Sequence, residues 1–361
     1  MATTKVTTDV IDMSGNTGGL VWAKGTTAQR PAVGVSTIGD LRENTETKRT
    51  EVYTDETGTA EWRNLKESAV VLTVDFLVVA GGGGSARYSS AGGGAGGLRT
   101  SFANSGGGAG PETALTFNTG IDYTITVGPA GAAVTGTNNS VPGGNGGASS
   151  ITGSDITDVN TVGGGGGGRY GVNGLLGGSG GGVGQSAGGG SPGAGTTDEG
   201  FAGGPTWSVT ASSGGGGAAE AGNTNGNGIG GDGLTVDIIG GTGNIYAGGG
   251  GGGTLGGLPE TGSVGGSGGG GQGGNRAVGG TATPGDNNKG GGAGGGDFDS
   301  DGENGGTGIV ILRCTKATAT LGSGITVNST AGPGSVSGVA ISGTSDYYYS
   351  ATLGTGTITF S

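Results

Sequence analysis

Hydrophobic residues are concentrated in two runs that bracket the long middle of the chain. The first run, AVVLTVDFLVVA at 69–80, and the second, GTGIVILRC at 306–314, are rich in β-branched residues. Both predict strands that bury apolar side chains. Between them, YTITVGPAGA at 123–132 starts by alternating apolar and polar positions, as a half-buried strand does. Strands are therefore expected at both ends of a middle segment that has few apolar side chains.

The segment 316–361 returns to an alternating pattern. GSVSGVAIS at 334–342, DYYYSATLG at 346–354 and TGTITFS at 355–361 place apolar and polar residues in turn. This spacing is typical of short antiparallel strands. We expect a small C-terminal β unit here.

Short strands and turns are also predicted near the beginning of the chain. GDLRENT at 39–45 and TEVYT at 50–54 fit two strands of a hairpin-like unit, and DETGTAEW at 55–62 supplies a glycine turn. The residues expected to form a small apolar cluster are Val52, Tyr53, Trp62 and Leu65. Because so small a core is marginal in a monomer, self-association would stabilise it.

Glycine dominates the middle of the chain. The sequence has 361 residues, of which 102 are Gly and only 30% are hydrophobic, a composition often associated with disorder. The glycines occur in runs, for example at 163–168 and 248–253, and with only 9 Pro they do not form a collagen repeat.

A packed fold made of glycine has a physical basis. An extended left-handed helix with three residues per turn has no internal hydrogen bonds, so its N–H and C=O groups need outside partners. Glycine lets neighbouring helices approach closely enough to supply those partners. We therefore predict a mostly β and irregular chain, in which β-strands bracket the glycine-rich middle, with small β units at both termini.

Charge defines the first predicted domain boundary, and the end of the second apolar run defines the other. Residues 1–67 hold 10 acidic and 8 basic residues, whereas the rest of the chain holds 17 acidic and 7 basic residues. We predict an N-terminal attachment or oligomerisation module at 1–68, a glycine-rich domain at 69–315 and the small β unit at 316–361.

Two stretches resemble proteins of tailed bacteriophages. GTTAQRP at 25–31, G-x-x-R-x-N-T at 39–45, E-V-Y at 51–53 and Trp62 resemble a module of phage virion proteins. The ordered series FLVVAGGGG, YTITVGPAGA, GGNGGASS, glycine runs and GTGIVILR, spanning most of 76–313, resembles the glycine-rich domain of tail-fibre and fibre-tip adhesins.

The resemblance implies that the middle of the chain is a polyglycine II helix sandwich bracketed by β-strands. It also implies a virion structural protein that presents host-binding loops. Its expected partners are other virion proteins, through the N-terminal module, and a host-surface glycan or outer-membrane protein. A homotrimer, synthesis in the host cytoplasm and a final location in the tail or fibre are further expectations. Alternatives are a capsid or collar decoration with no receptor role, and an ice-binding or cell-wall glycine-rich protein.

Composition argues against several other functions. The net charge of −12 disfavours nucleic acid and anionic membranes as partners. The longest apolar run is too short to insert across a bilayer, which needs about 20 residues. With no His and one Cys, the sequence lacks Ser-His and Cys-His catalysis and an intrachain disulfide. We therefore expect no enzymatic activity.

Side chains that interrupt the glycine runs are the candidate contact residues. Aromatic and Arg side chains anchor protein contacts and stack on sugars. The receptor-contact candidates are Arg87, Tyr88, Arg169, Tyr170, Phe201, Trp207 and Tyr246. The alternative for each is that it covers an edge of the glycine lattice or packs between subunits.

One acidic motif resembles half of a calcium loop. In DFDSDGEN, Asp297, Asp299 and Asp301 alternate and Gly302 follows, as in the first half of an EF-hand loop. The expected bidentate acid is missing, since Gly308 occupies its position. The alternatives here are a calcium site and a solvated acidic turn, and no other cofactor is expected.

Overall fold

The computed structural model describes residues 23–29, 41–46, 49–54, 61–64, 70–136, 141–185, 190–205, 211–225, 228–254 and 263–361. Contacts divide the chain into two compact units, Met1–Ala69 and Val70–Ser361. Within these described ranges, no helix has the length and apolar character required to cross a membrane.

The first unit contains a four-stranded sheet. Its strands are β1 (Ala23–Gly25), β2 (Leu41–Asn44), β3 (Arg49–Thr54) and β4 (Glu61–Asn64), and the 3-10 helix η1 (Thr27–Gln29) follows β1. The order is β1-β2-β3-β4, with β1 parallel to β2 and the other pairs antiparallel. The two strands predicted around residues 41 and 52 are thus neighbours.

Polar side chains fill much of the described core of this sheet. Asn44 donates to Glu51 over 2.8 Å, and Arg42 pairs with the same carboxylate at 3.6 Å. All three residues are buried. The ring of buried Tyr53 lies 5.5 Å from that of Trp62, as the predicted cluster requires, whereas Leu65 lies outside the described residues. A buried, hydrogen-bonded network thus supplements a small apolar core.

The second unit is built from fifteen described strands and a short 3-10 helix, η2 (Gly106–Gly108). The strands are β5 (Val71–Val79), β6 (Leu98–Thr100), β7 (Leu115–Asn118), β8 (Asp122–Thr126), β9 (Ser149–Thr152), β10 (Val159–Thr161), β11 (Leu234–Thr235), β12 (Ile245–Tyr246), β13 (Ile309–Cys314), β14 (Thr318–Leu321), β15 (Ile325–Val327), β16 (Thr330–Ala331), β17 (Gly334–Ser337), β18 (Val339–Ala340) and β19 (Tyr347–Thr359).

One large sheet joins the two hydrophobic runs to the C-terminal strands. Its main order is β10-β9-β8-β19-β13-β5-β6. β5 and β13 are antiparallel, with Val79 opposite Ile309 and Asp75 opposite Arg313. β19 pairs with β13 along its first half and with β8 along its second. Residues 316–361 therefore share one sheet with the strands that bracket the glycine-rich segment.

Side-chain alternation on β5 and β13 divides the hydrophobic residues into two cores. Phe76 and Val78 point into a large core enclosed by the sheet strands. Leu77 and Val79 point to the other side, where they pack with Leu98 and other residues that border the glycine tracts. Both faces of these central strands are buried, which explains why their sequences are almost continuously apolar.

The glycine tracts are hydrogen-bonded with a period of three residues. In the tract 91–97, every third N–H donates to the same neighbour. The neighbours that accept these bonds are the tracts 162–168, 213–216 and 290–293. The tracts that donate to its carbonyls are 80–83, 179–182 and 250–253. Six neighbours around one threefold helix define a hexagonal polyglycine II array, as predicted.

Close packing explains the absence of side chains at most array positions. A Cβ built on Gly250 would lie 2.4 Å or less from backbone atoms of Ala293. Ala95, in the tract 91–97, is tolerated because its methyl group points into the apolar core beside Leu77 and Leu98. The prediction of a mostly β and irregular fold, with strands bracketing a polyglycine II array, is confirmed.

Candidate functional site

Several predicted contact residues lie where the glycine tracts reverse direction. β5, β10 and β13 are continuous with tracts 80–85, 162–168 and 302–308, which lead to the turns 86–90, 169–171 and 297–301. An extended helix rises about 3.1 Å per residue, so six-residue tracts carry these turns roughly 20 Å from the strand ends. We call residues 86–90, 169–171 and 297–301 the outer turns.

A stack of two aromatic rings between two Arg side chains connects the outer turns with the turn that carries Arg276. The rings of Tyr88 and Phe298 lie 4.1 Å apart. The Arg169 guanidinium lies 5.8 Å from the Tyr88 ring centre, and that of Arg276 lies 5.0 Å from the Phe298 ring centre. Such cation–π contacts are favourable, most of all where water is partly excluded. We call Arg169, Tyr88, Phe298 and Arg276 the aromatic–arginine ladder.

Backbone contacts hold the ladder in place. The Tyr170 N–H donates to the Tyr88 carbonyl over 3.4 Å, and the Ser89 N–H donates to the Asp297 carbonyl over 3.0 Å. Tyr88 and Ser89 both have positive φ angles, 73° and 49°, which reverse the chain sharply at this turn. The Tyr170 side chain remains 46% exposed. The outer turns are thus held together by backbone hydrogen bonds and expose the Tyr170 ring to solvent.

The three Asp residues of the acidic motif each have separate partners. Asp297 accepts the N–H groups of Asp299 and Ser300, both over 2.8 Å. Asp299 pairs with Arg276 and Asp301 with Arg87, each at 3.2 Å.

Among the residues the structure describes, no group of three or more His, Cys, Asp or Glu side chains is arranged to hold a metal ion. The three Asp carboxylates are accounted for by turn and ion-pair contacts. Calcium at this motif stays a prediction based on sequence spacing.

The other candidates occupy different parts of the unit. Phe201 is partly exposed, and its ring lies near Gly108 of the 3-10 helix η2, away from the ladder residues. Tyr246 is only 6% exposed and belongs to the apolar core beside the array. Trp207 lies outside the described residues.

An acidic cleft of about 400 Å³ lies near the strand ends. Arg99 forms two hydrogen bonds with Glu112, of 2.8 and 2.7 Å, and this pairing raises the pKa of Arg99. Glu199 accepts the Val162 N–H over 2.7 Å, while its burial raises its pKa above the ordinary value. The carboxylates of Glu112 and Glu199 therefore both form hydrogen bonds with residues that line or border the cleft.

Two ladder residues, Phe298 and Arg276, are not among the contact residues predicted from the sequence. Phe298 stands inside the acidic motif and Arg276 is the one charged residue of GGNRAVGG, at 273–280. Each is a bulky side chain at the end of a glycine run, which is the signal that identified Arg87 and Arg169. The acids beside Phe298 carry the stronger sequence signal, because their spacing resembles a metal loop.

Comparisons with known proteins agree with the glycine array. A family model described as a glycine-rich domain matches residues 54–315. Comparisons with curated proteins and with solved structures gave no match. The matched range contains the glycine tracts and extends from β3 of the first unit through β13. The chain belongs to the glycine-rich domain family.

Proposed function

We propose that this protein is a structural subunit of a tailed-phage virion, a tail fibre or fibre tip whose outer turns contact a receptor on the host surface. The observation that carries the proposal is the gathering of Arg and aromatic side chains at the outer turns. A glycine array has few side chains of its own, so recognition falls to the turns between its helices.

Other features are consistent with this role. The polyglycine II array is held by hydrogen bonds in several directions, which suits a rigid support. The resemblance of segments 25–62 and 76–313 to phage virion proteins supports the choice of system. Within this proposal the first unit attaches the protein to other virion proteins, the assembly is a homotrimer, the receptor is a glycan or an outer-membrane protein, and the chain has no enzymatic activity.

Binding of the purified, labelled chain to a panel of candidate bacterial hosts tests the proposal. Tyr170→Ala removes the exposed ring of the outer turns, and we expect it to weaken cell binding at least tenfold. Phe102→Ala is the matched control, because Phe102 is 38% exposed and lies near the strand ends. We expect it to bind as the wild type does.

Two results would refute the receptor role. One is an equal loss of cell binding in both variants, which would mean that the outer turns contribute no more to binding than the surface near the strand ends. The other is a folded wild-type protein that binds no host in the panel but is incorporated into virions, which would favour a decoration protein.

A further inference from the structure

Among the residues of the second unit that the structure describes, Arg169 is the one Arg without a carboxylate partner. Four of the five Arg residues in this unit form ion pairs. The pairs are Arg87–Asp301, Arg99–Glu112, Arg276–Asp299 and Arg313–Asp346. Within the described part of the chain, Arg169 makes no ion pair and no side-chain hydrogen bond. An unpaired Arg is notable in a chain of net charge −12.

The Arg169 guanidinium is partly enclosed and partly open. Among the described residues, its Nε is a buried atom without a hydrogen-bond partner. The two terminal Nη atoms are not buried. The group lies over the Tyr88 ring at 5.8 Å, which limits its freedom. The exposed Tyr170 ring belongs to the next residue along the chain. Terminal N–H donors that are not buried and an exposed aromatic ring therefore belong to adjacent residues of one outer turn.

This arrangement suits an oxyanion attached to a sugar. The two Nη groups of Arg match the spacing of oxygens in a carboxylate or a phosphate, and partial desolvation strengthens the interaction. A Tyr ring provides a flat apolar surface with a polar edge, on which a sugar ring can stack. The nearby Asp299 and Asp301 are neutralised by Arg276 and Arg87, which reduces their repulsion of an anion.

We propose that Arg169 anchors a binding site for an acidic sugar, with the oxyanion on the Nη groups and the ring against Tyr170. The oxyanion is a carboxylate or a phosphate ester. The inference deepens the proposed function, since it rests on that function for the statement that the sugar is part of a host-surface glycan.

Three probes that share one ring test the chemistry directly. Titrations of the full-length protein with glucose, glucuronate and glucose 6-phosphate, followed by ligand-observed NMR, compare a neutral group, a carboxylate and a phosphate ester at C6. We expect at least one acidic sugar to bind at least tenfold more tightly than glucose, and the better of the two identifies the oxyanion. Equal affinities for all three would overturn the proposal.

Variants assign the binding to Arg169. Arg169→Gln keeps a long polar side chain but removes the charge, and we expect it to lower affinity for the preferred acidic sugar at least tenfold. Arg169→Lys keeps the charge without the paired donors, and we expect an intermediate loss. Arg99→Gln is the control, because that guanidinium lies outside the ladder and already has Glu112 as its partner. Equal losses in Arg169→Gln and Arg99→Gln would refute a site specific to Arg169.

Cell binding separates this inference from the proposed function. If Tyr170→Ala loses host binding while Arg169→Gln keeps both host binding and sugar affinity, the fibre-tip role stands and the acidic-sugar site fails. If the wild type binds the acidic sugar through Arg169 but binds no host cell, the sugar site stands and the receptor role fails.

Discussion

Gly93 lies in the middle of the tract 91–97, and replacing it with alanine tests whether close backbone packing holds the array together. A Cβ at Gly93 would lie 2.7 Å from the carbonyl carbon of Gly83 and closer still to its oxygen. Ordinary contacts begin at 3.4 Å and the Gly83 oxygen would lie at 2.1 Å, so the two tracts must separate by about 1.3 Å. Backbone atoms oppose each other here, and no flexible side chain can move aside.

The cost follows from the hydrogen bonds between these two tracts. The Gly83 N–H donates to Gly94 over 2.9 Å and the Ala80 N–H donates to Gly97 over 3.0 Å. A separation of ~1.3 Å takes such bonds beyond the usual hydrogen-bonding range. Each buried group left without a partner costs about 1–3 kcal/mol. Alanine also restricts the unfolded chain, which returns about 0.4–1 kcal/mol.

We therefore expect Gly93→Ala to lower the free energy of unfolding by about 2–5 kcal/mol, from a usual total of about 5–15 kcal/mol. Scanning calorimetry should show a Tm lower by roughly 5–15 °C. Gly110→Ala is the matched control, because a Cβ there meets no atom within 4 Å. Gly204→Ala should fall between them, since its Cβ would meet the Asn223 side-chain amide at 2.5 Å. A Tm for Gly93→Ala equal to that for Gly110→Ala would refute the reasoning.

Three further perturbations examine individual buried groups. Burial raises the pKa of Glu199, so this carboxyl group keeps its proton to a higher pH in the folded state than in the unfolded chain. The resulting contribution to the free energy of unfolding decreases as the pH rises from about 4.5, the ordinary pKa. Relative to Glu199→Gln, the wild type should gain unfolding free energy as pH is lowered from neutral towards 4.5, and a difference that does not change with pH would contradict this. Cys314 is buried and its thiol pKa is raised, so an aromatic disulfide reagent should label it only after denaturation; fast labelling of the native protein would be the contrary result. Tyr123→Phe removes a hydroxyl that accepts the Asn118 N–H over 2.7 Å, and calorimetry should show a loss of about 1–3 kcal/mol, whereas an unchanged Tm would argue that water replaces the bond.

The strands and the array could be predicted because their signals are local. The apolar runs ending at Val79 and beginning at Ile309 became the paired strands β5 and β13. The glycine runs became threefold helices, in which neighbouring tracts satisfy the peptide groups that have no partner within their own helix.

Tertiary neighbours were harder to predict. No local signal shows that β19 joins β8 and β13, since these pairings link residues far apart in the sequence. Tyr246 resembles an exposed loop aromatic in sequence, yet the two-residue strand β12 places it in the core. The ladder depends on which tracts are neighbours in the array, so Phe298 and Arg276 could be recognised as partners of Tyr88 and Arg169 only in three dimensions.

The glycine array also determines how stability responds to temperature. Unfolding an ordinary domain exposes hydrocarbon, which gives an increase in heat capacity of about 12–15 cal/mol/K per residue and a strongly curved stability profile. Unfolding this array exposes mainly peptide N–H and C=O groups, and hydration of polar surface lowers the heat capacity. The second unit should therefore have a small heat-capacity increment for its size. Its free energy of unfolding should vary little between cold and warm conditions, so that one rigid support serves over a wide thermal range.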